Sequence, residues 1–313
     1  MYHNPVMLHE SLEGLNIQPG GIYLDVTFGG GGHSKAILSR LKEGTLYAFD
    51  QDEDAEAQNA GHPNLVFTRA NFRHAERYMK LYQAGPAHGL LADLGISSHQ
   101  IDEPARGFST RGEGPLDMRM DVRQGQTAAD VVNNYSEAEL HRILGMYGEL
   151  KNARTLASAI VKARVRQSIR TTEELKKVLA PFAPRGKEFK YQAQVFQALR
   201  IEVNQELKAL EELLEQSSRI LAPGGRLVVM SYHSLEDRMV KHFIQTGNLE
   251  GKPEKDLFGN LLRPFEPVTR KPLEAGPEEV ASNPRARSAR LRVAERTALK
   301  VQSGGEMQNS KSR

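Results

Sequence analysis

Four consecutive glycines, Gly29 to Gly32, stand between an apolar stretch, Tyr23-Leu-Asp-Val-Thr-Phe28, and a helical pattern that opens at His33. Glycine loses more conformational freedom on folding than any other residue, so a run of four is costly unless the backbone needs the room. A strand, a bare-backbone turn and a helix start form a unit in which a ligand can lie against exposed N–H groups. The bland alternative is a glycine-rich turn without a ligand. A second strand, Gly44-Thr-Leu-Tyr-Ala-Phe-Asp50, then ends in a carboxylate. It falls about twenty residues on, where nucleotide-binding α/β units accept hydrogen bonds from a ribose. The pair points to an adenosine-containing cofactor. A dinucleotide fingerprint needs glycine or alanine at its third position. Here Ser34 or Lys35 falls there, depending on register. Nicotinamide and flavin cofactors are therefore disfavoured. S-adenosylmethionine has no pyrophosphate to cradle, so the looser run suits it.

The alternation continues. The pattern predicts strands over Tyr23–Phe28, Thr45–Asp50, Asn64–Ala70 and His88–Leu94, with helices over His33–Leu41, about Asp52–Asn59 and Arg73–Tyr82. This reads as an α/β doubly wound sheet, whose ligands bind beyond the carboxyl ends of the strands. Asp25, the glycine run, Asp50, Phe72 and Asp93 all fall at those ends. From about Ala105 to Gln194 no core strand is expected. A charged, glycine-bearing loop through Asp121 comes first, then helices. Ser136-Glu-Ala-Glu139 and Thr171-Thr-Glu-Glu174 match the capping box. Ala153–Arg166 has helical apolar spacing at Leu156, Ile160 and Val161. A single long helix from about Phe196 to Leu221 should end at Pro223-Gly-Gly225, followed by a strand over Arg226–Ser231 and a helix through His242. Val268–Lys271 and Ala289–Val293 are candidate closing strands. The expected organisation is a core of residues 1–104 and 196–300, an inserted helical domain over 105–195, and a disordered tail over 301–313.

The chain has no cysteine, which removes disulfides, thiol nucleophiles and cysteine zinc sites. The amino terminus lacks a secretion signal and no apolar run is long enough for a bilayer, so a cytoplasmic protein is expected. The histidines considered (His9, His62, His74, His88, His99 and His141) make no convincing ligand pair, and no metal is expected. Charge is uneven. Lys151 to Lys190 holds eleven basic and three acidic residues, net +8, which leaves −5 for the rest of a chain of net +3. Such a block suits a polyanionic partner, or else a solvated helix face.

Taken in order, the motifs resemble the family of ribosomal RNA small subunit methyltransferase H, the MraW-type methyltransferases. They are Thr27-Phe-Gly-Gly-Gly-Gly-His-Ser34, Asp93-Leu-Gly-Ile-Ser-Ser98 with Gln100, Arg106-Gly-Phe-Ser109, Gly114-Pro-Leu-Asp-Met-Arg-Met-Asp121, Phe196-Gln-Ala-Leu-Arg-Ile201, Ala222-Pro-Gly-Gly225, His233-Ser-Leu-Glu-Asp-Arg238 and Asn283-Pro-Arg-Ala-Arg-Ser288. The resemblance covers nearly the whole chain. It implies a class I (Rossmann-like) methyltransferase core with an inserted all-helical domain. It also implies S-adenosylmethionine-dependent N4-methylation of a cytidine in 16S ribosomal RNA, at the decoding centre of the small ribosomal subunit. The cofactor contacts it implies are Gly31, Gly32, His33, Asp50, Phe72, Asp93 and Gln100. Gly30 stands where relatives often carry a larger residue, and every expected contact survives that change.

The cytosine N4 amine is a weak nucleophile, so the enzyme must align it with the methyl donor and accept its hydrogen bonds. Related amino methyltransferases carry an Asn/Asp-Pro-Pro-Tyr type motif after the fourth strand. Here Asp93-Leu-Gly-Ile-Ser-Ser98 lacks the prolines and the aromatic. Asp93 is the acceptor by position, or it holds the methionine ammonium and never touches the base. His233 and Ser234 follow the fifth strand and are expected to line the base pocket, unless Ser234 with Asp237 caps the following helix. Asp117 and Arg119 lie on the loop into the insert, where Arg119 either clamps a phosphate or pairs with Asp117. Lys162, Arg164, Arg166 and Arg170 are the candidate RNA-gripping residues. Rival readings are a DNA amino methyltransferase, an oxidoreductase, and a ribosome-assembly factor that binds without turnover. Oligomeric state is not legible.

Overall fold

The computed structural model describes residues 5–59, 61–123 and 125–298. The expected tail, 301–313, lies outside them. The chain opens with α1 (Leu8–Leu15) and then alternates. β1 (Ile22–Asp25) leads to α2 (Gly32–Leu38), β2 (Thr45–Asp50) to α3 (Glu53–Ala57), and β3 (Leu65–Arg69) to α4 (Ala75–Leu81). β4 (Ala87–Asp93) leads to α5 (Ser98–Asp102). The insert holds α6 (Ala128–Asn134), α7 (Glu137–Met146), α8 (Ala153–Arg166), α9 (Thr172–Leu179) and α10 (Glu188–Asn204). The sheet resumes through α11 (Glu206–Ile220), β5 (Leu221–Ser231) and α12 (Ser234–Thr246). β6 (Phe265–Pro267), β7 (Leu273–Glu274), α13 (Pro277–Ser282) and β8 (Arg290–Arg296) complete it.

The sheet runs β3-β2-β1-β4-β5-β8-β6, with β7 also on β8. β1 to β5 pair in parallel, and β8 is antiparallel to its neighbours. This is the class I methyltransferase order. Strand order reverses between β1 and β4, which opens a crevice at their carboxyl ends. The strands are apolar on both sides, as buried parallel strands must be. Leu24, Tyr47, Leu90 and Val229 join a core under α4, α11 and α12. Tyr23, Leu46, Leu91 and Val228 join another under α1 and α2.

The insert has its own core, from Phe108 through Leu156 and Leu175 to Leu199. Both expected capping boxes form, Ser136 with Glu139 and Thr171 with Glu174. The division at residue 195 falls inside α10, whose buried face (Tyr191, Val195, Phe196, Leu199) packs into the insert's core.

Two expectations are corrected. The single helix over Phe196–Leu221 is two helices that meet at Gln205, in the left-handed region with φ +50°. Asn204 fixes the break. Its side chain donates to the Met118 carbonyl at 2.7 Å and accepts from the Met120 N–H at 2.8 Å. No glycine or proline marks the site, so only the folded chain reveals it. Val268–Lys271 is not a strand either. The Val268 and Thr269 N–H groups both donate to the Val293 carbonyl, a bulge that interrupts the ladder, and the edge strands form on either side, as β6 and β7.

Candidate functional site

A cavity of about 850 Å3 lies at the carboxyl edge of the sheet. That size suits a drug-sized ligand, roughly 300–1,000 Å3. Its walls include Gly29, Gly30, Gly32, His33, Asp50, Phe72, Asp93 and Gln100. Residues expected at the cofactor from separate parts of the sequence thus meet at one cavity, with one exception. Gly31, with φ +73°, faces the Phe28 ring and is not part of the wall. Its role is to turn the backbone.

The glycine turn is tied down from below. Asp25 is fully buried, and its carboxylate accepts the Ser34 hydroxyl at 2.6 Å and the Thr27 N–H at 3.1 Å. Burial pushes its pKa up, against the pull of His33. Asp50 accepts the N–H of Gly29 at 2.8 Å and of Asp52 at 2.9 Å, so the acid expected to meet a ribose also pins the loop. Burial pushes Asp50 up to about 6, although those two N–H groups lower it. A Cβ placed at Gly29 would meet nothing nearer than 3.9 Å, which leaves room for a ligand against the backbone there. Carboxylate acceptors, bare glycine backbone and the Phe72 ring form a donor-and-acceptor set that fits an adenosine with an amino-acid tail.

Gln100 caps α5 with Ser97 and reaches Asp52 through its amide. Burial raises the Asp52 pKa, but hydrogen bonds from Arg106 and Gln100 outweigh it and hold the group below its usual range. Arg106 lies on the chain leaving the sheet. Its guanidinium also bonds Asp54 at 2.6 Å and the Arg119 carbonyl at 3.1 Å. The residue opens the Arg106-Gly-Phe-Ser109 motif, but its target is distant in sequence and no motif spacing points to it.

Asp93 lines the cavity, with its Oδ2 3.7 Å from His33 Nδ1. The other His33 nitrogen lies 3.1 Å from the Val6 carbonyl. Burial pushes Asp93 up to about 6, while His33 and the Tyr232 hydroxyl lower it and Asp25 and Glu236 raise it. Tyr232, Met120 and Arg200 are further wall residues that sequence reasoning missed. Arg200 is held by Glu206, at 2.8 and 3.0 Å.

His233 and Ser234 are absent from the cavity wall. His233 is the N-cap of α12, in a capping box with Glu236. The sequence match of Ser234 with Asp237 is thus out by one residue. The His233 ring turns inward, its Nε2 3.1 Å from Glu236, and the Ser234 hydroxyl donates to Glu149 of the insert at 2.8 Å. Asp237 instead holds Arg292 at 2.7 Å. Among the described residues one group of side chains has metal-ligand types close together, Glu206, His233 and Glu236. Arg200 already stands as the counter-charge to Glu206 there, and the His233 ring faces Glu236.

Asp117 and Arg119 pair with each other, with bonds of 2.8 Å from Nε and Nη2. Neither lines the cavity. Lys162, Arg166 and Arg170 lie at the end of α8 and beyond it, whereas Arg164 is part-buried and donates to the Val132 carbonyl at 2.8 Å. Among the described residues no helix is long and apolar enough to cross a membrane.

A family model described as the MraW methylase family matches residues 1–297. A protein of Cytophaga hutchinsonii named ribosomal RNA small subunit methyltransferase H is 60% identical over 298 residues, which is 95% of this chain and 100% of that one. A protein of the same name from Amoebophilus asiaticus is 58% identical over 95% of this chain and 97% of its own. Among solved structures, an rRNA methylase from Streptococcus thermophilus aligns over 95% of this chain and 99% of its own, at 15% identity and a TM-score of 0.40.

Proposed function

Because the chain belongs to the MraW methylase family, we propose that it is an S-adenosylmethionine-dependent ribosomal RNA methyltransferase acting on the N4 amine of a cytidine in 16S ribosomal RNA, at the decoding centre of the small subunit. Relatives that match nearly end to end carry a name that specifies small-subunit ribosomal RNA. The observation that carries the cofactor assignment is the cavity in which Asp50, Phe72 and Asp93 meet bare glycine backbone.

When bound, S-adenosylmethionine supplies an electrophilic methyl group and keeps the electron pair of the broken bond. The chain's own residues do the rest. Asp50 accepts the ribose hydroxyls, and Phe72 offers a face to the adenine. His33 and Asp93 lie close together at the cavity wall, where they would hold the methionine end beside the incoming base. Asp93 accepts a hydrogen bond from the amine as positive charge grows there, and the amine's proton then leaves to it or to water. Lys162, Arg166 and Arg170 hold phosphates and set register, while base choice rests with the cavity. A stacked base must swing out to reach the methyl group, at a cost of a few kcal/mol that the flanking grip offsets.

The deciding experiment is transfer of labelled methyl from the cofactor to small-subunit particles, with the product nucleoside identified by mass spectrometry. N4-methylcytidine is expected. Cofactor binding without transfer would leave the assembly-factor reading in its place.

A further inference from the structure

Tyr232 follows the last residue of β5 and lies across the sheet edge from β4. Its hydroxyl is 2.8 Å from Asp93 Oδ1. The ring lies against the loop after β4, since a Cβ at Gly95 would come 3.7 Å from its Cδ2. The position is fixed at both ends. The Tyr232 N–H donates to Glu236 Oε2 at 2.9 Å, and the Leu94 N–H donates to the Met230 carbonyl at 2.9 Å. The phenol is therefore not a surface group that happens to reach a carboxylate. Two adjacent strands are locked so that it must.

Protons decide what the contact does. A carbonyl only accepts, so His33 Nε2, facing the Val6 carbonyl, carries the hydrogen. The other His33 nitrogen lies 3.7 Å from Asp93 Oδ2, too far for a hydrogen bond, so His33 acts on the carboxylate through charge and not as a donor. The remaining charged groups around Asp93 are Asp25 from β1 and Glu236 from α12, both acids that oppose its ionisation. Among these neighbours the Tyr232 hydroxyl is the side-chain donor hydrogen-bonded to the Asp93 carboxylate.

We propose that Tyr232 is the positioning residue of Asp93: its hydroxyl donates to Oδ1, keeps the carboxylate ionised inside the cavity, and leaves Oδ2 as the oxygen that accepts from the reacting amine. The inference rests on the N4-methylation reading for its consequence in turnover, but not for the coupling itself. In the step, the amine nitrogen forms a bond to the methyl carbon as the carbon–sulfur bond breaks. The methylated cation then gives one proton to Asp93, which releases it to solvent.

The test uses Tyr232→Phe, which keeps the ring and removes the donor. The Asp93 carboxyl is followed by carbon NMR of the aspartate-labelled full chain, its signal identified by loss in Asp93→Asn. Removing a hydrogen bond to the charged form moves the midpoint upward, by about one pH unit. The acid limb of the pH–rate profile should rise with it, and Tyr232→Phe should cost no further turnover when placed on Asp93→Asn. An unmoved midpoint overturns the coupling. A raised midpoint with an unmoved acid limb overturns the role in turnover, as does a further loss in the double variant. If the unaltered chain methylates no small-subunit RNA, the function reading fails, and the midpoint still decides the coupling. Should Tyr232→Phe fold poorly, 3-fluorotyrosine at 232 strengthens the donor and must move the midpoint down.

Discussion

Arg106 grips Asp52 through both terminal nitrogens, at 3.2 and 2.7 Å, and so ties the chain leaving the sheet to the loop that follows Asp50. Both side chains are largely buried, at 12% and 6% exposure. Removing one partner of such a pair strands the other charge, at a cost of about 3–5 kcal/mol. Arg106→Met should lower the melting temperature and weaken S-adenosylmethionine binding together. Adding Asp52→Asn should restore part of the stability, because the stranded charge is gone. Thermal melts of the two single variants and the double check this; strictly additive losses would speak against the pair.

Asp50→Ala should weaken cofactor binding by about 1.5–3 kcal/mol, the range for hydrogen bonds to a charged group. That is roughly a ten- to hundred-fold rise in Kd. The loss would have two sources, the proposed ribose contact and the Gly29 N–H that Asp50 holds in place. Calorimetric titration reads it. An unchanged Kd would show that a different acid meets the ribose.

Asp93→Asn separates folding from turnover through pH. In the folded chain Asp93 titrates at about 6, against 3.8 for an ordinary aspartate. Between those values the folded state holds a proton that the unfolded chain has released, so stability from this group falls as pH rises through the window. Asparagine carries no charge to bury. The ligand-free variant should therefore melt at or above the unaltered chain at pH ~7.5, with the difference closing towards pH ~4, while methyl transfer collapses. A variant that melts well below the unaltered chain near neutral pH and matches it at low pH would reverse the sign.

The structure refines the RNA-grip test. Arg164 holds a carbonyl of α6, so its replacement disturbs the insert itself. Replacing Lys162, Arg166 and Arg170 with Gln should weaken RNA binding and reduce the salt slope by about 0.7 to 0.9 for each phosphate no longer held. Cofactor affinity should not change. A salt series on both proteins decides it, and parallel lines of equal affinity would leave these residues as a solvated face whose cations merely suit the carboxyl end of α8.

What was legible in the sequence is local. β2 and α8 fall where periodicity put them, and the boxes at Ser136 and Thr171 form because each needs only four consecutive residues. The edge acids were legible because strands of an α/β sheet must end there. The rest depends on partners far apart in the chain. Gln205 breaks a helix because Asn204 is occupied by the backbone of Met118 and Met120. Arg106 and Tyr232 matter through Asp52 and Asp93, which no spacing rule connects to them. His233 took the cap that a four-residue pattern assigned to Ser234, because its ring can both face Glu236 and accept the Glu236 N–H.

The wall of the cavity includes Met120 and Arg200, which belong to the helical insert. Asn204 fastens the outgoing and returning stretches to each other beside them, through Met118 and Met120. The insert therefore cannot be treated as an interchangeable attachment on a finished catalytic body. A chimera that exchanges inserts between relatives at the sheet boundary would also exchange part of the cavity wall. To redirect such an enzyme to another RNA, changes should be confined to exposed positions of α8 and α9, leaving their buried faces, the segment around Met118–Met120 and the end of α10 native.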